Sequence, residues 1–254
     1  MTGIFYPYLV GASRWQELRY SLRSLEKFFE EEAEVWIVGD CPDWIQNVRY
    51  IEHHKNERVY CASTYDAVMK LEAYIKHKDS PEKFIRMYDD IYFIGPRTLH
   101  DLEVTRYLFT YDQYREHVFI SGSVPWRDQV NRTMEIVKGA GFRGLMTETH
   151  CPEVFLKKRM KNIFKQFDPA NNLLLTSTLY YNMYPYEHEL QDRKVERALY
   201  YGGENLFGFG PMRKECGREG VIGRYFLNHN DVGLDKELKK YLERMFPVKS
   251  KYEI

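Results

Sequence analysis

Short apolar runs alternate with amphipathic stripes along the first part of the chain. Ile4-Phe5-Tyr6-Pro7-Tyr8-Leu9-Val10 has strand composition, and its proline predicts an end close by. Gly11-Ala12 is a turn, and Ser13 with Gln16 makes a capping-box pattern for a helix start. Trp15, Leu18, Leu22, Leu25 and Phe29 then recur at helical spacing, with Arg14, Glu17, Arg19, Arg23, Glu26 and Lys27 on the other face. Val35-Trp36-Ile37-Val38 is continuously apolar, as in a strand covered on both faces, and stops at Gly39-Asp40. Strand, helix and strand over so short a span form a βαβ unit, which requires a parallel sheet. Val48-Arg49-Tyr50-Ile51-Glu52-His53 reads as a further short strand. Ser63 or Thr64 caps the next helix, which runs to about Lys76 with Tyr65, Val68, Leu71 and Ile75 inward.

The pattern changes character at Lys83-Phe84-Ile85-Arg86-Met87-Tyr88-Asp89-Asp90-Ile91-Tyr92-Phe93-Ile94, where two strand-like runs flank adjacent carboxylates. A strand interior would bury one of two consecutive aspartates, so the strand is expected to end here and project both into a cleft. Side-by-side carboxylates repel unless a cation sits between them and a ligand. Such oxygen ligands suit Mg²⁺ or Mn²⁺, ions that usually hold substrate phosphates. The plainer reading is an Asp-Asp turn in a hairpin. Asp40 falls at the carboxyl end of the second strand, where open α/β sheets bind ligands, unless it merely caps a turn. Lys70 lies off the apolar stripe of its helix and is expected either in solvent or meeting a diphosphate.

Beyond Gly95-Pro96 the order is less regular. Glu116-His117-Val118-Phe119-Ile120-Ser121 has strand composition, and Arg224-Tyr225-Phe226-Leu227 predicts another strand, ending in Asn228-His229-Asn230-Asp231. A last helix is predicted from about Asp235 to Phe246, with Leu238, Tyr241, Leu242 and Met245 on one face. Residues 127–165 hold nine basic residues against four acidic ones, and Lys157 to Lys165 is expected on a helix, either as a solvated face or as a surface for a polyanion. The glycine-rich 139–144 segment lacks phosphate-loop spacing but is a candidate to close on a ligand. Thr147-Glu148-Thr149-His150-Cys151-Pro152-Glu153 gathers three groups, Glu148, His150 and Glu153, any of which suits an acceptor-side base. Tyr200 to Asn205 and Gly208 to Pro211 are loop signals.

Composition narrows the field. The 254 residues suffice for one large domain or two small ones, and net charge is zero, so no whole-molecule field favours nucleic acid or an anionic membrane. There are 21 Tyr and 15 Phe; tyrosine suits sugar and base binding but also fills cores. Cys41, Cys61, Cys151 and Cys216 lack metal spacing and are expected to be free thiols in a reducing cytoplasm. No signal peptide and no run long enough to span a bilayer are evident.

This order of elements resembles the GT-A nucleotide-sugar glycosyltransferases, whose Rossmann-like first half ends in an Asp-x-Asp-type motif. Tyr88-Asp89-Asp90 falls where that motif belongs, with Tyr88 in place of its first carboxylate, and Asn228-His229-Asn230 is similar to the late histidine of the family's metal site. The resemblance implies an α/β fold with a mostly parallel sheet flanked by helices. Within that single catalytic domain, residues 1–100 would bind the sugar nucleotide and 101–254 form the acceptor side. It implies Mn²⁺ or Mg²⁺ held by Asp90 and His229, Asp89 on the ribose or donor sugar, Asp40 beside the base, and Lys70 or Arg86 near the nucleotide or sugar. The donor would be a nucleoside diphosphate sugar and the reaction transfer to a hydroxyl. Glu17 to Lys27, Val35 to Val38 with Pro42-Asp43-Trp44, and Tyr88 to Phe93 also resemble conserved regions of the Stealth family, as His150-Cys151-Pro152 resembles its His-x-Pro; that likeness implies hexose-1-phosphate transfer in capsule synthesis. Leu227 to Asp231 and Phe246 to Glu253 look similar to small phage-encoded glycosyltransferases, some of which modify hydroxymethylated pyrimidines in DNA. The implied acceptor is therefore DNA or a glycan, in a bacterial or phage-infected cytoplasm. The non-enzymatic alternative is a sugar-nucleotide-binding or capsid-associated module with a decayed site.

Overall fold

The computed structural model describes residues 1–57, 59–117, 124–191, 198–201, 225–229 and 233–254. In chain order these form β1 (Thr2–Tyr8), α1 (Glu17–Phe28), β2 (Ala33–Gly39), β3 (Arg49–Glu52), α2 (Ala62–Lys76), β4 (Lys83–Arg86), β5 (Ile91–Phe93), α3 (Leu99–Leu102), β6 (Thr105–Tyr107) and β7 (Phe109–Thr110). There follow α4 (Tyr111–His117), α5 (Val124–Gly139), β8 (Leu145–Met146), β9 (Glu153–Leu156), α6 (Lys157–Phe167), α7 (Thr176–Met183), β10 (Glu189–Gln191), β11 (Ala198–Tyr201), β12 (Phe226–His229) and α8 (Lys236–Met245).

The central sheet has the order β3-β2-β1-β4-β9, parallel except for β9, which runs antiparallel to β4. The fold is thus mixed α/β with a mostly parallel sheet, as expected. Alternation along β1 divides the core. Ile4, Tyr6 and Tyr8 pack with Leu18, Leu22 and Leu25 of α1 on one face, in a cluster that also takes in Val154, Phe226 and Tyr252. On the other face Phe5, Trp36, Phe84 and Phe155 meet Leu71, Tyr74 and Ile75 of α2, Met160 and Ile163 of α6, and Tyr180 and Tyr181 of α7. Many of the tyrosines are therefore core residues. Pro7 costs this central strand no hydrogen bond. The Phe5 carbonyl accepts from Met87 N (2.9 Å), so Phe5 and Pro7 face the β4 side, and β4 has ended at Arg86.

A second sheet, β11-β12-β5, has β12 antiparallel to β5 and lies beneath α8, whose Leu238 and Leu242 pack on Tyr92 and Leu227. Asp235 caps α8 through Glu237 N and Leu238 N, both at 2.9 Å. The Asp-Asp segment is a turn, as the plainer reading had it, yet not a hairpin: β4 belongs to the central sheet and β5 to the second. Residues 44–46 and 252–254 are laced together, with Gln46 N donating to Tyr252 O and Ile254 N to Trp44 O, both at 2.9 Å.

Several local expectations change. Helix α1 begins at Glu17, with no side-chain cap from Ser13 or Gln16. Glu17 accepts from Arg14 N (2.8 Å) and Trp15 N (2.7 Å) instead, because Ser13 is spent on Asp89. Helix α2 is preceded by Cys61 in a left-handed conformation (φ 58°), so neither Ser63 nor Thr64 caps it. Residues 111–117 are helical, against the strand expected over 116–121, whose remainder lies outside the described residues, as do Gly202 to Arg224 and Asn230-Asp231. Strand β9 and helix α7 were not anticipated. Of the four cysteines, Cys41, Cys61 and Cys151 are free thiols and Cys216 lies outside the described residues.

Candidate active site

The carboxyl edge of β1 and β4 opens into a cleft of about 350 Å³. Its floor is built by cross-strand pairing. In the β4–β9 ladder Arg86 lies opposite Glu153, and its guanidinium takes hold of that residue. Arg86 Nε donates to Glu153 Oε2 at 2.8 Å, and Nη2 donates to the same oxygen and to Ser177 Oγ. Nη1 reaches Thr176 Oγ1 at 3.1 Å, and Glu148 Oε2 stands 3.5 Å from Nη2. Burial works against the charge on Arg86, but Glu153 outweighs it and the guanidinium stays charged. Burial pushes the carboxyls of Glu148 and Glu153 upward, opposed by Arg86. Glu148 Oε1 also accepts from Thr178 N (3.4 Å) in the first turn of α7, where a helix favours negative charge. Glu153 Oε1 is buried with no hydrogen-bond partner.

The second wall is the 88–90 turn. Asp89 Oδ2 accepts from Ser13 Oγ at 2.6 Å, which latches the loop after β1 to the turn. Burial raises the Asp89 pKa, and the Ser13 bond counters it. In the β5–β12 ladder Asn228 lies opposite Ile91, so the next residue along, His229, comes against Asp90. Tyr92 Oη is 3.0 Å from His229 Nε2, which orients the imidazole. Asn228 Nδ2 donates to His150 O (2.7 Å), tying β12 to the 147–153 segment. His150 has left-handed backbone (φ 50°), a strained conformation for this residue of the kind found at functional positions. Its side chain is exposed in the cleft, and loss of bulk water to the surrounding walls lowers its pKa, opposed by Glu153.

Of the residues singled out by sequence, Arg86, Asp89, Asp90, Glu148, His150, Glu153 and His229 all line this cleft. Asp40 and Lys70 do not. Asp40 Oδ2 accepts from Val10 N (2.8 Å) and caps the short turn after β1. Lys70 is neither in solvent nor in the cleft: at 1% exposure its Nζ pairs with Asp66 Oδ2 (2.6 Å) and donates to Tyr8 O (2.8 Å). It fills the space beside Gly39, where φ is +127° and an added Cβ would meet Lys70 Cε at 2.6 Å. None of residues 139–144 lines the cleft, and Gly144 N is held by Asn182 Oδ1 at 3.0 Å.

Sequence reasoning missed Glu17, Trp126, Leu174 and Leu175, which also line the cleft. Glu17 reads as one more polar position on α1, and the others carry no motif. With them the balance of charge is plain. Glu17, Asp89, Asp90, Glu148 and Glu153 face Arg86 as the one lysine or arginine among the described lining residues. Among the described residues no three His, Cys, Asp or Glu side chains are grouped to hold a metal ion. No helix of the described residues is long and apolar enough to cross a membrane.

No protein-family model matches the chain, and no curated protein matches it. Among solved structures it is similar to the galactosyltransferase LgtC in complex with donor and acceptor sugar analogues, at 8% identity and a TM-score of 0.49, over 99% of this chain and 98% of that one.

Proposed function

We propose that the chain is a cation-dependent glycosyltransferase that moves a sugar from a nucleoside diphosphate sugar to an acceptor hydroxyl. The observation that carries this reading is the charge of the cleft. Five carboxylates face one arginine that is already paired, at the carboxyl edge of a parallel sheet. A diphosphate enters such a site only with a cation to offset the repulsion. The donor set fits a hard divalent ion. Asp90 and His229, juxtaposed by the β5–β12 register, would hold Mn²⁺ or Mg²⁺, and two protein ligands are an ordinary complement where waters and substrate phosphates supply the rest. When bound, the ion neutralises the diphosphate and stabilises it as the leaving group.

The chain's own groups then have distinct parts. Asp89 keeps the loop after β1 closed on the turn through Ser13 and faces the ribose or donor sugar. Arg86, set by Glu148, Glu153, Thr176 and Ser177, forms a fixed polar floor under the sugar. His150 takes the acceptor proton, because the two glutamates are committed to Arg86 while the lowered pKa of His150 keeps its ring neutral.

The test is to incubate the protein with a panel of sugar nucleotides, with and without Mn²⁺, and to identify the nucleotide released. Release of a nucleoside diphosphate that depends on Mn²⁺ and falls roughly a hundredfold in Asp90→Asn is the expected result. Release of a monophosphate would replace this reading with hexose-1-phosphate transfer. Wild-type turnover by Asp90→Asn would refute the metal assignment.

A further inference from the structure

Part of the cleft lining has a different chemistry. Trp126, in the first turn of α5, is half-buried. It packs against the cluster of Phe109, Val130, Met134, Met146 and Leu175 and also lines the cleft. Leu174 and Leu175 line the same cleft, as do the hydroxyl-bearing Ser63 and Thr64. The lining thus includes an indole backed by a packed cluster, together with small hydroxyls.

The basic section between 127 and 165 does not supply one. Arg132 Nη1 donates to Asn172 O (3.0 Å), and Lys157 Nζ donates to His77 O (2.7 Å) and Ser80 O (2.9 Å). Lys138 faces Asp112 at 3.8 Å, Arg143 pairs with Glu189, and Arg159 lies 5.1 Å over the Tyr184 ring. Lys158, Lys161 and Lys165 are exposed on α6, and neither they nor Arg127, the neighbour of Trp126, line the cleft. Among the described lining residues a polyanion would meet five carboxylates and one cation, the already paired Arg86.

We infer that this part of the lining is the acceptor subsite and that it takes an uncharged saccharide, with the apolar face of a pyranose ring stacked on Trp126. The inference rests on the transfer reading for the word acceptor, but not for the site. A sugar ring has one face of C–H groups that suits an aromatic platform and a rim of hydroxyls that suits Ser63 and Thr64. Nucleic acid would need a basic track beside its stacking residue, and the described lining residues are mostly of the opposite sign.

Binding can be read without turnover. Isothermal titration calorimetry is run with methyl galactoside, methyl glucoside and lactose, and separately with a single-stranded oligodeoxynucleotide, at low and high salt. At least one of the saccharides should bind saturably and independently of salt, and the oligonucleotide should not. Trp126→Ala should weaken saccharide binding about tenfold or more and Trp126→Phe should restore most of it, with urea denaturation of each variant showing that the loss is of binding and not of folding. Failure of every saccharide to bind, equal affinity in Trp126→Ala, or salt-sensitive oligonucleotide binding in the cleft overturns the inference. Donor turnover by the wild type separates the two readings. Diphosphate release without saccharide binding sinks the subsite alone, and saccharide binding without release from any donor leaves a sugar site and sinks the transferase.

Discussion

Glu253 holds helix α1 to the end of the described chain, and its removal has a calculable cost. Its side chain has no solvent exposure, and it accepts from Arg23 Nε (2.7 Å), Arg23 Nη2 (2.8 Å) and Arg19 Nη1 (3.1 Å), with Ser250 N adding a bond at 3.0 Å. Burial alone would raise its pKa. The Arg23 bonds, the Ser250 N–H and Arg19 outweigh that and hold the carboxyl at about 2, against an ordinary 4.5. At about 1.4 kcal/mol per unit that is roughly 3.4 kcal/mol, and screening through the partly exposed arginines reduces it to about 2 kcal/mol. Glu253→Gln should therefore lower Tm at neutral pH by roughly 4–8 °C. The sign of the pH dependence is fixed by a depressed folded pKa. The contribution is complete above about pH 4.5 and fades as the pH falls through about 2, so the wild-type advantage should shrink across that window. Urea denaturation of both proteins from pH 7 to pH 2.5 measures it. A gap that stays constant with pH would mean that the cost is one of packing, and no gap at pH 7 would mean that the clamp contributes nothing.

Two further outcomes follow from the cleft. Arg86→Met strands Glu148 and Glu153 in the interior without their cation and should cost about 3–5 kcal/mol at pH 7 by urea denaturation. The carboxyls of the variant take up protons more readily folded than unfolded, so its deficit should narrow toward pH 5, whereas an unchanged deficit would refute the charge account. The rate of transfer should rise with pH through a limb whose midpoint lies below 6.5, set by the lowered pKa of His150. His150→Gln should remove that limb, and a limb that survives the substitution assigns the proton to another group.

How far the chain could be read depends on the range of the interaction. The first sheet strands and helices α1 and α2 follow from apolar periodicity, because β1, β2 and α1 bury what their patterns offer within a local unit, whereas the longer α5 was not anticipated. Caps were misjudged where a side chain found a better partner far away. Ser13 bonds Asp89 across 76 positions, and no local rule reveals that its hydroxyl is taken. Lys70 looked solvated because a lysine off an apolar stripe usually is. Its buried pairing with Asp66 and the Tyr8 carbonyl depends on Gly39 leaving room, a fact of β2 rather than of α2. Trp126 had no periodic partner to mark it, since its meaning comes from the wall that it completes with α7.

The site itself is a product of two antiparallel registers, which is why spacing alone could collect its residues but not arrange them. Pairing of β4 with β9 sets Arg86 against Glu153, and pairing of β5 with β12, a ladder that ends with Asn228 opposite Ile91, brings His229 and Asp90 to the same end of it. A slip of one residue in either ladder would turn the paired side chains to the opposite face and dissolve the constellation. Register on the first side is held by Phe84 and Phe155, which share one core cluster, and by Ile85 and Val154, which share the other. On the second side α1 contributes directly. Ser21 Oγ donates to Ile91 O (2.6 Å), and Ser24 Oγ accepts from Phe93 N (3.0 Å), so two buried serines of the helix pin β5 in place. Helix α1 is in turn pinned by Glu253 through Arg19 and Arg23. The path from that clamp to Asp90 is therefore continuous: carboxylate to arginines, helix to serines, serines to β5, β5 to the turn. Loosening Glu253 should act on the position of Asp90 as well as on global stability, and a Glu253→Gln protein that has lost stability should also require more Mn²⁺ for half-maximal donor turnover than the wild type.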